Sequence, residues 1–168
     1  MPTSVNQIFH RKMLNEKVER FDSVQLPDIQ HRRQILAKWK GMIESGKLET
    51  AGEVSIHGDF LIDIFSTVLG YKRITEHSEE WNLSHEQKTT LDATKAAGAL
   101  GFFTRDSSDI RAIIELKSAG TDLDAKQHRK HDKRTPVEQA FSYAPKYGKN
   151  CRWVIVSNYV ELRLYHAS

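Results

Sequence analysis

The spacing of apolar residues changes once along this 168-residue chain, and that change limits the folds open to it. Up to Leu69 they recur at helical intervals. From Gly98 onward they fall into short runs and alternations of strand type. Leu14, Val18 and Phe21 predict a first helix. Ile29, Ile35, Leu36, Trp39, Met42 and Ile43 predict a second, set off by Pro27-Asp28 and stopped at Gly46. A third is expected over 51–69: Thr50 stands three residues before Glu53, the spacing of a capping box, and Leu61, Ile64, Phe65, Val68 and Leu69 form one stripe ended by Gly70. The polar, irregular stretch 72–94 reads as a connection anchored by Trp81 and Leu83, with room for a short helix after Ser84.

Residues 98–103 (GALGFF) and 110–116 (IRAIIEL) read as a hairpin turning through 104–109. After a polar segment, Thr135-Pro136-Val137-Glu138 is a strong helix start, with Thr135 as N-cap, proline at the first helical position and Glu138 closing a capping box. Pro145 and Gly148 end or kink that helix. Residues 152–156 (RWVIV) predict a buried strand, and the alternation Val160, Leu162, Leu164 an edge strand. The expected architecture is α/β: a small mixed sheet flanked by helices, with extra helices at the N-terminus. The expected organisation is a single domain, with 1–50 a helical segment packed on a core of 51–168.

Composition closes off several classes. With 39% hydrophobic and 28% charged residues, neither a disordered chain nor a membrane protein is expected. The N-terminal residues do not read as a signal peptide, which points to the cytoplasm. Cys151, the single cysteine, makes neither an internal disulfide nor a Cys-rich zinc site, and before a buried strand it reads as a core thiol. A formal charge of +3 permits a polyanionic partner without requiring one. His57 and His77 have no ligand spacing and read as structural or exposed.

Chemistry concentrates in Ile113-Ile114-Glu115-Leu116-Lys117. On a strand Glu115 and Lys117 share one face, about 7 Å apart along the edge, while Ile114 and Leu116 take the other. Such a pair suits metal-assisted hydrolysis, although the tripeptide alone is more commonly an ordinary ion pair. One carboxylate holds Mg²⁺ poorly, so a second acid is needed on the neighbouring strand. A turn centred near Asp106 puts position 97 opposite 115, and 95–101 contains no acid. Asp92 is five residues early, and Asp106 and Asp109 sit at the wrong end of the ladder.

The segments FSTVLGY (65–71), GALGFF (98–103), IELK (114–117), TPVEQAFSY (135–143) and WVIVSNYVELRLY (153–165) together resemble the PD-(D/E)XK nuclease superfamily. More narrowly, the chain is similar to the N-terminal nuclease domain of type IIG enzymes, in which nuclease and DNA methyltransferase share a polypeptide. The resemblance implies a restriction-endonuclease-like core and Mg²⁺-dependent hydrolysis of DNA phosphodiesters. It further implies that Glu115, the carbonyl of Leu116 and an aspartate before the GALG glycine share the metal, with Lys117 beside the attacking water. That aspartate is replaced by Ala97, so this form is expected to hold Mg²⁺ weakly and to be inactive. The replacement is engineered, a natural degeneration, or compensated by a shifted acid such as Asp92.

Glu53 is either a plain capping-box residue or a site carboxylate reaching along the third helix, as some relatives of the superfamily use. Gln139 is either a surface amide or faces the site. The segment 126–134 carries five Lys/Arg, and Arg129, Lys130, Lys133 and Arg134 are the candidate DNA contacts, against the alternative of a solvated loop. The expected partners are double-stranded DNA and a methyltransferase or specificity region outside this chain, which is then an excised or truncated piece. A second copy would be needed for double-strand cleavage. The alternative function is a non-catalytic nuclease-like module that binds DNA or protein.

Overall fold

The computed structural model describes residues 8–50, 53–89, 95–128 and 132–167, apart from the side chains of 53–55, 87 and 88. Helix α1 (Arg11–Arg20) carries the first apolar set, yet every residue of it is exposed. Helix α2 (Ile29–Glu44) does pack. Its Trp39 is buried, with Ile35, Met42 and Ile43 beside it. The chain leaves α2 through Gly46 in the left-handed region and makes one turn, α3 (Lys47–Thr50), where the Thr50 hydroxyl donates to the Lys47 carbonyl. Whether Thr50 and Glu53 also form a capping box falls outside the described residues.

Helix α4 (Glu53–Phe60) runs on as a π-helical segment, Leu61–Val68, closed by the Leu69 N–H donating to the Ile64 carbonyl and by Gly70 at φ 83°. This is the third predicted helix with a widened second half. The widening keeps Leu61 and Phe65 buried against the sheet.

Within the stretch read from sequence as a connection, residues 80–88 form strand β1 (Glu80–Lys88), so the described residues that follow Ser84 as far as Lys88 are strand and not helix. Polar residues fill most of it, which suits an edge strand, and it pairs with the next strand, β2, from Lys88 opposite Lys95 outward, so its own composition does not reveal it. Only Trp81, stacked on Phe103, and the buried Leu83 mark its inner face. The hairpin is as expected: β2 (Lys95–Thr104) and β3 (Ser108–Leu116) are antiparallel, and the Thr104 N–H donates to the Ser107 carbonyl.

Gly98 pairs with Ile114, so the next position in register sets 97 beside 115. A bulge at Leu100/Gly101 then shifts the ladder by one residue towards the turn. The glycine is needed there, because a Cβ on Gly101 would lie 2.2 Å from the Asp109 carbonyl oxygen. From β3 the chain crosses through α5 (Pro136–Tyr143), begun by the Thr135–Glu138 capping box, and a 3-10 turn, Ala144–Tyr147. It returns as β4 (Trp153–Ser157), parallel to β3, and finishes as the edge strand β5 (Leu162–His166).

The sheet runs β1-β2-β3-β4-β5. On one face Trp39, Phe60, Leu61 and Phe65 cover Leu83, Leu100, Ile114 and Ile155. On the other, Ala140 and Ala144 of α5 and the turn after it cover Ile113, Val154 and Val156. This mixed α/β sandwich is consistent with a restriction-endonuclease-like core. Among the described residues no helix is long and apolar enough to cross a membrane.

Candidate active site

Strand β3 begins with an exposed residue and ends wholly buried, so the charges at its C-terminal end are enclosed by both layers. Glu115 and Lys117 are only 6% and 5% exposed. Alternation sends Ile114 and Leu116 to the α2/α4 side and Glu115 and Lys117 towards α5. There the Lys117 ammonium donates to Glu115 Oε1 at 2.6 Å and to Gln139 Oε1 at 2.9 Å. Taking two charges out of water is costly unless each is paired and hydrogen-bonded, and this arrangement meets both conditions for the lysine.

Gln139, expected either at the helix surface or facing the site, is 4% exposed and belongs to this cluster. Its carbonyl oxygen also accepts from Gln127 Nε2 at 2.8 Å, and its own amide donates to the Tyr143 hydroxyl. Helix α5 aims all of this because its start is fixed: Thr135 Oγ1 accepts the Glu138 N–H and Glu138 accepts the Thr135 N–H.

Ala97, Glu115, Leu116, Lys117 and Gln139 line one cavity of about 640 Å³. Position 97 reaches it with a twist that alternation does not predict. Gly98 and Leu100 face Leu61 and its neighbours, which should turn Ala97 towards α5; instead Ala97 packs on the α2/α4 side and Ala96 in the α5 cluster. The phase slips where the Ala96 N–H donates to the Tyr147 hydroxyl at 2.9 Å. Burial raises the pKa of that phenol, and the Ala96 N–H partly offsets the rise.

The cavity has walls that sequence reasoning missed. His57, read as structural or exposed, borders it from α4, and His85, Glu86 and Lys95 border it from β1 and β2. Glu86 has φ 47° and pairs with Lys95 at 2.7 Å. Burial, with the Arg73 charge adding to it, lowers the His85 pKa, against a smaller opposite pull from Glu86. A polar strand such as β1 hides these residues from a sequence reading; the weak alternation Trp81, Leu83, His85 is the available signal.

Of the other candidates, the side chain of Glu53 and all of Asp92, Arg129 and Lys130 lie outside the described residues. Lys133 is exposed. Arg134 is already engaged: its guanidinium donates to Asp132 at 2.7 and 2.8 Å and to the Ser142 hydroxyl. Cys151 is buried as expected, and burial pushes its thiol up to about 11.

A family model, the N-terminal domain of MmeI, matches residues 30–168. The chain belongs to the MmeI N-terminal domain family. Because MmeI is a type IIG restriction–modification enzyme, this is a restriction-enzyme-related N-terminal domain. The family match takes in α2, every strand and every cavity residue named above, and begins after α1. Comparison with curated proteins and with solved structures gives no match.

The MmeI relationship raises the question of a divalent metal. Magnesium prefers one or two carboxylates with near-octahedral oxygen ligands. The cavity offers two carboxylates, Glu115 ion-paired to Lys117 and Glu86 ion-paired to Lys95, and a methyl group at 97. Among the described residues no group of three His, Cys, Asp or Glu could hold a metal ion. The donor set as it stands does not fit Mg²⁺.

Proposed function

We propose that this domain is the DNA endonuclease module of a restriction–modification enzyme, built to hydrolyse phosphodiesters with Mg²⁺, and that Ala97 leaves this form inactive. The observation that carries the reading is that position 97, Glu115, Leu116 and Lys117 border one cavity, Ala97 from the α2/α4 side of the sheet and Glu115 and Lys117 from the α5 side. A buried lysine held by two oxygen acceptors at a cavity wall is suited to face a phosphate or the water attacking it, because its charge needs little reorganisation to act there. Glu115 provides one carboxylate, and an aspartate at 97 would provide the second. With an aspartate at 97, Glu115 and that aspartate would hold the metal, which would supply charge stabilisation on the phosphate oxygens.

Ala97→Asp is therefore expected to confer Mg²⁺-dependent cleavage of double-stranded DNA, measured on the domain and in its longer polypeptide, and to give metal binding by calorimetry where the present chain gives none. No cleavage and no metal uptake in either setting would overturn the assignment of position 97. The same reading assigns a methyltransferase or specificity region as the module that brings this domain to DNA, and a second copy for cutting both strands.

A second reading is a non-catalytic module that binds DNA or protein. It is favoured by the missing acid and by the closure of the Glu115–Lys117 pair on itself. Both readings use the basic segment 126–134 on the phosphate backbone. Neutralising Arg129, Lys130 and Lys133 is expected to flatten the dependence of DNA affinity on salt by about one unit of slope for each phosphate that is no longer neutralised. An unchanged slope would remove the segment from the interface.

A further inference from the structure

The Gln139 carbonyl that accepts from Lys117 is itself held by a residue outside the cavity. Gln127 donates one amide hydrogen to Gln139 Oε1 at 2.8 Å and another to the Arg134 carbonyl at 3.2 Å, and its backbone N–H also reaches the Arg134 carbonyl. One side chain thus closes the base of the basic segment, 127 against 134, and fastens that base to the acceptor of Lys117. Lys117 also borders a second cavity of about 430 Å³, which Lys126, Gln127 and His128 share. The lysine stands between the two cavities, and Gln127 lines the second cavity while joining the hydrogen-bond network of the first.

We propose that Gln127 is a positioning residue coupling the basic segment to Lys117: it keeps the Gln139 carbonyl on the ammonium, and a polyanion drawn to Lys126 and Lys133 perturbs that contact through it. The coupling rests on the nucleic-acid reading above, whereas the positioning rests on the hydrogen bonds alone. A neutral amide suits the role. It donates twice without adding charge beside Lys117, and its partial burial keeps both donors in place.

The test uses the chain as it is, labelled with ¹⁵N, and follows the Lys117 ammonium and Gln139 side-chain amide signals, assigned with Lys117→Met and Gln139→Leu. In Gln127→Met both signals are expected to exchange with water about tenfold faster, with the backbone spectrum unchanged beyond the immediate neighbours. Gln127→Glu, which fills the same space but presents no N–H to Gln139, is expected to behave alike. Unchanged exchange in either variant would overturn the positioning role. Adding a short DNA duplex is expected to shift both signals in the parent chain and to leave them still in Gln127→Met, with duplex affinity within twofold. A duplex that binds and shifts the signals equally in both chains overturns the coupling alone. A duplex that fails to bind the parent chain overturns the nucleic-acid reading and the coupling with it.

Discussion

Replacing Lys117 by methionine keeps most of the buried stem and removes only the ammonium. The substitution leaves Glu115, 6% exposed, without the cation 2.6 Å away, and Gln139 without one of its donors. Breaking a buried pair in this way costs about 3–5 kcal/mol because the buried carboxylate loses the cation that offsets its charge. The cavity brings solvent to one side of the pair, so the lower end applies, about 3 kcal/mol. For a chain of this size that lowers the thermal midpoint by about 6–12 °C. Substituting both partners, Glu115→Gln with Lys117→Met, removes both desolvation penalties and is expected to recover at least about 1.5 kcal/mol of the loss. Urea denaturation of the parent, both single variants and the double variant completes the cycle. A loss below about 1 kcal/mol for Lys117→Met, or simple additivity, would refute the reasoning, because a pair that behaves so is solvated like a surface pair. It would also weaken the case for Lys117 as a pre-organised charge.

Three glycines separate backbone need from habit, and urea denaturation ranks them. Gly101→Ala, driven into the Asp109 carbonyl, is expected to cost about 3 kcal/mol, and Gly98→Ala, 3.2 Å from the Leu61 side chain and the Ser84 carbonyl, about 1 kcal/mol. Gly41→Ala meets nothing within 4 Å inside α2 and is expected to stabilise by about 0.5–1 kcal/mol. The His85 pKa is depressed in the folded chain, so the unfolded chain takes up its proton first, and stability should fall as pH drops below 6.5. His85→Gln is expected to remove part of that slope in midpoints measured from pH 7.5 downward; an identical slope would mean the imidazole is not desolvated at the cavity wall.

Apolar stripes declared α2 and α4 locally, and the Thr135–Glu138 capping box declared α5. The hairpin was legible too: two strand-like runs with a fixed turn leave little choice of register, and the run through Ile114 and Leu116 had to turn Glu115 and Lys117 to the opposite face. The placement of Gln139 was left open between the helix surface and the site, and only the packing of α5 against β3 put it beside Lys117. What the sequence could not announce lies in how elements pair and pack with one another. Strand β1 is polar and gains its identity from pairing with β2. The phase slip that sets Ala97 on the α2/α4 side lies where the ladder is irregular, opposite Glu86 with its φ of 47°. Gln127 joins the network only because the basic segment folds back on Arg134. Local periodicity records which face of an element is apolar, whereas the partner that meets the polar face is chosen by the way the layers close.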